Sequence, residues 1–353
     1  MSIYNSWTLG FIFIFCAILI WTFGVRLVKA VDIVVQHYNW GEAIGGMLFL
    51  AIITDLPEIA ITAVAAYKKE YTIAVSNLLG GIAIQTVVLV IIDIFGVGRK
   101  APLTNKGHSS ILKIEGVTVI IILMVLLLGH YYPLSNTFSS KYIFESTTVI
   151  VWIASIYWTK LLYNKHQIKK QSKTNLQTFK PGGIITSIAK PIKLHQNQKI
   201  ESAILIILFG SLIMLVAGMG LEISGEILSK RWGLSGVVFG ATILALCTAL
   251  PEITTGIASA KIRDYEMAVS DIFGGNSFLA LLFLLAAIIS GESILGYFSA
   301  SDIYLIWVGI ALTLIYLIGM HYHSKKQFFR MGIDSIIVLL LYIVSIIGLV
   351  YLQ

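Results

Sequence analysis

The strongest constraint on this chain is a pair of short stretches that place a proline and a glutamate inside long apolar runs. The first reads Thr-Asp-Leu-Pro-Glu at residues 54–58, and the second reads Thr-Ala-Leu-Pro-Glu at residues 248–252. Each run is long enough to cross a bilayer, where an acid costs several kcal/mol and a proline removes a backbone donor. Such a break is tolerated only where protein or an ion-bearing cavity covers it, so both stretches are predicted functional sites.

The composition is that of a membrane protein. Hydrophobic residues make up 57% of the 353 residues, charged residues make up only 12%, and the mean hydropathy is +0.88. Apolar runs of about 18 residues or more predict spanning helices. We therefore predict an all-α polytopic fold with about ten transmembrane helices, at residues 9–31, 43–67, 71–97, 110–131, 142–163, 201–228, 233–260, 264–290, 301–321 and 331–351.

The distribution of lysine and arginine along the chain predicts its orientation in the membrane. The longest polar segment, residues 164–199, carries eight lysines, and the positive-inside rule makes it a basic cytoplasmic loop. Both termini of a ten-helix chain in the cell membrane are then external. The lysines of this loop account for the net charge of +7, so lipid, and not nucleic acid, is the expected partner of the loop. We expect the chain to function as a monomer that handles inorganic cations.

A shift of 194 residues aligns the two halves of the chain without a gap. From residue 46 to residue 81, 15 of 36 positions are identical, including Pro-Glu, a tyrosine and a Gly-Gly pair. The first half, residues 1–163, holds one copy at about 43–97, and the second half, residues 200–353, holds the other at about 233–290. Each half has five segments, so the copies cross the membrane in opposite senses. Inverted repeats are typical of secondary transporters, whose ion sites lie near mid-membrane.

The two glutamates of the repeat are the main candidate ligands. Glu58 and Glu252 would face each other across the pseudo-two-fold axis and would offer four hard oxygens. Thr54 and Thr248 precede them by four residues and share their helix faces. Carbonyls freed beside the prolines would add further oxygens, and about six to eight oxygens suit Ca²⁺.

The other polar residues differ in their position along the apolar runs. Asn77 and Asp271 occupy matched intramembrane positions before the Gly-Gly pairs, and both are expected to contact the ion. The seven histidines fall in loops or at helix ends, and Cys16 and Cys247 lie in apolar runs, so we predict neither a zinc site nor a disulfide. Five acids are expected at the membrane interface, near segment ends: Asp93, Glu115, Glu145, Glu222 and Glu226.

The repeated pattern Gly…Thr-x-x-Pro-Glu, followed by Ser-Asn/Asp-x-x-Gly-Gly, resembles the alpha repeats of the sodium/calcium exchanger family, within the cation/Ca²⁺ antiporter superfamily. The resemblance implies a divergent antiporter of prokaryotic type that exchanges Ca²⁺ for Na⁺ or H⁺ by alternating access, without a cofactor and without enzymatic activity. In that family the two glutamates bind Ca²⁺ and Na⁺ in competition and the threonines lend oxygens. These roles would fall to Glu58, Glu252, Thr54 and Thr248.

The chain departs from the family pattern close to these residues. Asp55 and Ala249 stand where the family has serine. Gln85 stands in place of an asparagine and keeps an amide oxygen for the ion, whereas Leu279 stands in place of an aspartate and removes an acid. We hypothesise that Asp55 restores the lost charge. The alternative is that Asp55 caps a backbone N–H beside the break.

Two other classes of function fit parts of the pattern. Buried carboxylates would also serve a passive cation channel or a transport-inactive sensor. Paired acids can carry out hydrolysis in an intramembrane enzyme, but the chain lacks the Gly-x-Gly-Asp context of such proteases. A flux that depends on an opposing Na⁺ or H⁺ gradient distinguishes the antiporter from both alternatives.

The predicted orientation is tested by cysteine labelling. In a background without Cys16 and Cys247, a Ser172→Cys variant is expected to resist an impermeant thiol reagent in intact cells, because residue 172 would be cytoplasmic. The same variant should react in inverted vesicles. Labelling from outside intact cells would reverse the assigned topology.

Overall fold

The computed structural model of the chain describes residues 5–38, 52–98, 101–132, 142–177, 200–261 and 263–352. In this part the helices are α1 Ser6–Tyr38, α2 Leu56–Tyr67, α3 Tyr71–Ile92, α4 Leu103–Lys106, α5 Ser110–Tyr131, α6 Ile143–Gln177, α7 Ile200–Trp232, α8 Gly236–Thr248, α9 Leu250–Lys261, α10 Tyr265–Leu279, α11 Leu282–Ser290, α12 Ala300–Tyr322 and α13 Ile333–Tyr351. A short antiparallel hairpin pairs β1 Gln327–Phe328 with β2 Met331–Gly332 just before α13.

Seven helical stretches among the described residues are long and apolar enough to cross a membrane, and the bent pair α8–α9 makes an eighth. The second predicted segment contains α2, and its beginning lies outside the described residues. The fifth predicted segment forms the first part of α6. The all-α polytopic fold is thereby confirmed, and the helices found are consistent with the ten predicted segments.

The first part of the predicted polar loop is helical. Helix α6 continues to Gln177, so residues 164–177 extend the fifth helix and are not a loop. This stretch is rich in lysine and glutamine, whose unbranched side chains favour helix even without an apolar face to bury. Residues 178–199 lie outside the described part.

Helix α3 lies at the centre of the fold. Of its most apolar stretch, 83% is buried, and α2, α8, α10, α12 and α13 all pack against it. Apolar residues occur all round α3, as expected of a helix enclosed by others. Because α3 is so enclosed, its polar residues face protein and not lipid.

Helices α1 and α7 pack against each other at the edge of this bundle. Both leave much of their surface exposed, since only 35% and 28% of their most apolar stretches are buried. On α1 the exposed side chains recur every three or four residues and form one stripe, which suits contact with lipid tails. The stripe consists of Trp7, Phe11, Ile14, Ile18 and Trp21.

Two glycine–proline contacts join the peripheral pair to the broken helices. A Cβ on Gly24 of α1 would lie 2.9 Å from Cβ of Pro251, and a Cβ on Gly218 of α7 would lie 2.8 Å from the carbonyl oxygen of Pro57. The same shift of 194 residues relates both members of the two pairs. The halves therefore reproduce one another in packing as well as in sequence.

The packing of α3 on α8 gives a test of the fold. A Cβ on Gly80 would overlap the backbone of Ala241 and lie 2.8 Å from its Cβ. We expect Gly80→Ala to lower the free energy of unfolding by about 1–3 kcal/mol through overpacking. The matched control is Gly10→Ala, since no described atom lies within 4 Å of a Cβ at that helical position. Thermal unfolding midpoints in detergent check both variants, and equal midpoints would contradict this account of the contact.

Candidate cation site

Both site helices begin after a break of the same backbone geometry. Helix α2 starts after Asp55, whose φ and ψ are −84° and 10°, and α9 starts after Ala249, with values of −77° and 3°. Proline is tolerated in the first turn of a helix, where its missing N–H would have no intrahelical partner. The glutamate after each proline lies in the same turn, where the helix dipole favours a negative charge.

Three carboxylates converge between the two breaks. Oxygen atoms of Asp55, Glu58 and Glu252 lie within 4.8 Å of one another, and all three side chains are buried. Both oxygens of Glu58, both of Glu252 and Oδ2 of Asp55 have no hydrogen-bond partner among the described residues. The structure thus brings the two glutamates together, as the repeat predicts, and their role as ion ligands stays a prediction.

No cationic side chain of the described residues is paired with these acids. The ion pairs in the described part of the chain lie elsewhere: they join Lys68 and Lys230 to glutamates of α7 and of the turn before α3. Burying an ionised carboxylate without a counter-charge costs several kcal/mol, and neighbouring like charges add to that cost. A bound metal cation would supply the missing charge, because carboxylate oxygens are the ligands that hard cations prefer.

Asp55 is directed into the site and is not a helix cap. Its side chain makes no capping hydrogen bond at the start of α2, and its Oδ1 accepts a hydrogen bond from Nε2 of Gln85 at 3.2 Å. Ala249 adopts nearly the same backbone conformation at the other break without any carboxylate. The break therefore does not need the Asp55 side chain, and the alternative interpretation of Asp55 as a cap is wrong.

The remaining predicted residues are buried around the three acids. Asn77 has no hydrogen-bond partner for either amide atom, and Oδ1 of Asp271 also lacks one, in the described part of the chain. Thr54 is buried beside the first break, and the hydroxyl of Thr248 donates to the carbonyl of Ala245 at 3.1 Å. Asp271 does not belong to the group of three acids within 4.8 Å.

Sequence reasoning missed the polar residues that support this arrangement. Thr255 donates a hydrogen bond to Oδ2 of Asp271 at 2.7 Å. Nδ2 of Asn276 donates to Oγ1 of Thr86 at 3.0 Å and thereby links α10 to α3. Both threonines could have been noticed as polar residues inside apolar runs, but neither has a threonine at the related position of the other repeat.

Neighbouring elements of the protein bury four of the five acids expected at the membrane interface. Both oxygens of Glu115 contact the hydroxyl of Ser270, at 2.9 and 2.8 Å. Asp93 accepts hydrogen bonds from the backbone N–H groups of Leu103, which begins α4, and of Gly332, which ends β2. Neighbouring elements cover these helix ends, and their N–H and O–H groups, instead of water, donate hydrogen bonds to the acids. Glu145 and Glu222 are likewise buried, against Ser293 and Lys68 respectively.

The fold and the buried acids together define a class of protein. Related halves, each with a site helix that begins after a break at the repeated proline, enclose a shared oxygen-lined site inside a polytopic membrane protein. That combination is characteristic of secondary transporters of small ions.

Comparison with known proteins identifies the family. The family model described as sodium/calcium exchanger protein matches residues 8–161 and 201–351, and the chain belongs to this family of cation antiporters. The chain is 26% identical over 269 residues to inner membrane protein YrbG of Escherichia coli (strain K12), with 76% of each chain covered. It is 24% identical over 277 residues to the putative antiporter CaxA of Alkalimonas amylolytica, with 78% of each covered. The solved structure of the sodium-calcium exchanger NCX_Mj has the same fold, with a TM-score of 0.62, 19% identity and coverage of 98% of this chain and 99% of that one.

Because no cationic side chain in the described residues balances the three acids, a bound cation is expected to stabilise the folded protein. Ca²⁺ should raise the thermal unfolding midpoint of the wild-type protein, and a concentration of 100 times Kd corresponds to about 2.7 kcal/mol. Glu252→Gln should raise the midpoint without Ca²⁺, because it removes a buried charge, and should abolish the response to Ca²⁺.

The control is Glu115→Gln, which changes a buried acid that contacts only Ser270 among the hydrogen-bond partners described. This variant should keep the full Ca²⁺ response. A response that survives in Glu252→Gln would show that Ca²⁺ binds elsewhere.

Proposed function

We propose that the chain exchanges Ca²⁺ for Na⁺ or H⁺ by alternating access, with Asp55, Glu58 and Glu252 as the principal ion ligands. The observation that carries the proposal is the convergence of these three buried carboxylates, five of whose oxygens have no protein donor in the described residues. Thr54, Thr248, Asn77, Asp271 and Gln85 complete the proposed ligand set.

The chemistry of the donor set favours Ca²⁺ among divalent cations. Ca²⁺ takes about six to eight oxygen ligands in flexible geometry, and carboxylates may bind it through one or both oxygens. Zn²⁺ and Cu²⁺ prefer nitrogen and sulfur ligands. In the described chain, the only group of three metal-ligating side chains within bonding range of one ion is the group of three acids.

Exchange requires that the two ions compete for the same ligands. A site of three carboxylates is strongly destabilised when empty, so the protein would change conformation readily only when Ca²⁺ or the coupling cations neutralise it. Na⁺ provides that neutralisation through the same oxygens, and protons provide it by converting the acids to their neutral forms. Either ion excludes Ca²⁺ from Glu58 and Glu252 while it occupies them.

The related halves support alternating access. If the two halves exchange their arrangements, the site opens to the opposite face of the membrane while its ligands stay the same. The contacts of Gly24 with Pro251 and of Gly218 with Pro57 place the peripheral helices α1 and α7 directly against the two breaks. A shift of that pair would therefore act on the helices that carry Glu58 and Glu252.

Flux measurements in sealed vesicles test the proposal. Purified protein should move Ca²⁺ outward from vesicles only when Na⁺ or H⁺ is supplied on the opposite side, and running each ion in turn identifies the coupling ion. Glu58→Gln should reduce this flux by at least about a hundredfold, because it removes a ligand shared by both ions. Ca²⁺ flux that is equally fast without any opposing gradient would instead identify a passive channel.

Glu115→Gln again serves as the matched control and should retain flux, since its carboxyl group is buried outside the group of three acids. Normal flux in Glu58→Gln would overturn the assignment of the site, while leaving the family membership intact.

A further inference from the structure

A network of ion pairs joins helix α7 to the end of α2 that is farthest from the break. Nζ of Lys68, the residue that follows α2, donates hydrogen bonds to both oxygens of Glu222, at 3.2 and 3.0 Å, and to Oε2 of Glu226 at 3.2 Å. Nζ of Lys230, in the last turn of α7, lies 2.7 Å from Oε1 of Glu226 and 3.6 Å from Oε1 of Glu70. None of these residues belongs to the proposed cation site.

Glu222 depends on this network more than the other acids do. Its side chain is fully buried, whereas that of Lys68 is 33% exposed. Among the described residues, Lys68 is the only cation paired with Glu222. An unpaired buried charge costs far more than the loss of an exposed pair. Displacement of α7 from this end of α2 separates the two charges, so the pair favours the arrangement in which the two helices are in contact.

One face of α7 runs from the break to the ion pairs. Gly218, which contacts Pro57 at the break, precedes Glu222 by four residues, so both lie on the same side of the helix. Between them, Leu221 of α7 and Ile61 of α2 belong to one buried apolar cluster. Backbone contact at the break, apolar packing in the middle and ion pairs at the far end therefore hold α7 against α2.

The other repeat has no equivalent of the central ion pair. The shift of 194 residues relates Lys68 to Ile262 and Glu222 to Val28. Neither isoleucine nor valine carries a charge, so this ion pair cannot form between α1 and the residue that follows α9. The repeats thus share the glycine–proline contact at the break but differ at the far ends of the helices that the breaks begin.

We propose that Lys68 and Glu222 form an ion lock, which holds α7 against α2 and opens whenever the cation site changes the face of the membrane to which it is exposed. The inference rests on the proposed function, because it assumes that alternating access shifts α1 and α7 against α2 and α9. If the halves exchange their arrangements, α1 and α9 take up the contact that α7 and α2 make here, but without a lock. The lock therefore favours one of the two conformations. In the predicted orientation it lies on the external side, so the favoured conformation is closed to the outside.

Pulsed electron paramagnetic resonance tests the lock through the distance between two spin labels. In a background without the native cysteines, one label is attached through Trp232→Cys at the end of α7 and the other through Tyr131→Cys at the end of α5, both at exposed positions. Lys68→Met leaves Glu222 unpaired, so a second distance should become populated. The ratio of the two populations should change by about tenfold, between the effects typical of exposed and of buried ion pairs.

Two further variants identify the cause of the change. Lys68→Met/Glu222→Met removes both charges and should restore the wild-type distances, because replacement of a buried ion pair by apolar residues is often neutral. Lys230→Met is the matched control. It also removes one lysine from the network, but Glu226 keeps Lys68 at 3.2 Å, so the wild-type distances should remain.

A second pair of labels separates movement of α7 from general loosening of the fold. Tyr131 and Tyr351 are exposed at the ends of α5 and α13, and labels there should keep one distance in every variant. New distances for both label pairs would show that Lys68 only stabilises the fold and would overturn the inference. Unchanged distances between Trp232 and Tyr131 in Lys68→Met would also overturn it, as would failure of the double variant to restore them.

A cross-link tests whether the lock opens during transport. In Lys68→Cys/Glu226→Cys, a reducible bifunctional thiol reagent ties α7 to α2 and should stop Ca²⁺ flux in vesicles until the link is reduced. A monofunctional reagent on the same variant should leave the flux in place. Full flux in the linked protein would overturn the inference and leave the proposed function intact. Absence of gradient-dependent flux in the unlinked wild type would instead overturn the proposed function, and with it the role of the lock in transport.

Discussion

The interaction on which the structure depends is the mutual approach of three buried carboxylates without a cationic side chain to balance them in the described residues. Asp55, Glu58 and Glu252 lie within 4.8 Å of one another in the interior of a membrane protein. Hydrophobic packing has to supply the free energy that holds them together when the site is empty. The enclosed position of α3, with 83% of its apolar stretch buried, and the close glycine contacts around it provide that packing. A bound cation would turn this net repulsion into attraction and would thereby stabilise the fold.

The broken helices explain why two repeats are needed. One break presents one glutamate at the start of a helix, where the dipole favours its charge but where two oxygens are too few for Ca²⁺. The second copy, inverted, brings an equivalent glutamate to the same place from the other side. Gly24 and Gly218 allow the peripheral helices to reach Pro251 and Pro57 at these breaks. These contacts thus connect the breaks to two peripheral helices whose most apolar stretches are only 35% and 28% buried.

Much of this arrangement follows from the sequence, because each signal is local or repeated. Proline and glutamate inside an apolar run identify the breaks, and the 194-residue shift predicts that Glu58 and Glu252 meet. The sequence does not reveal which neighbour covers a helix end. Glu115 lies five residues from the start of α5, and nothing local in the sequence indicates that Ser270, of a helix distant in sequence, contacts it. The direction of the Asp55 side chain likewise depends on Gln85, 30 residues away, and on the missing side chain of Gly275.

The asymmetry between the repeats also affects which carboxylates move together. Asp55 immediately precedes α2 and Glu58 lies in its first turn, so a change of bend at this break moves both carboxylates together. The related break at Ala249 moves only Glu252. The two carboxylates of the first repeat therefore respond to the same backbone motion, whereas the second repeat moves one. Leu279 closes the space over Gly81 with an apolar group, whereas oxygens of Gln85 and Asp55 line the related space over Gly275. A nearly symmetric scaffold thus carries two carboxylates at one break and one at the other, so the same bend of the two helices moves unequal charge.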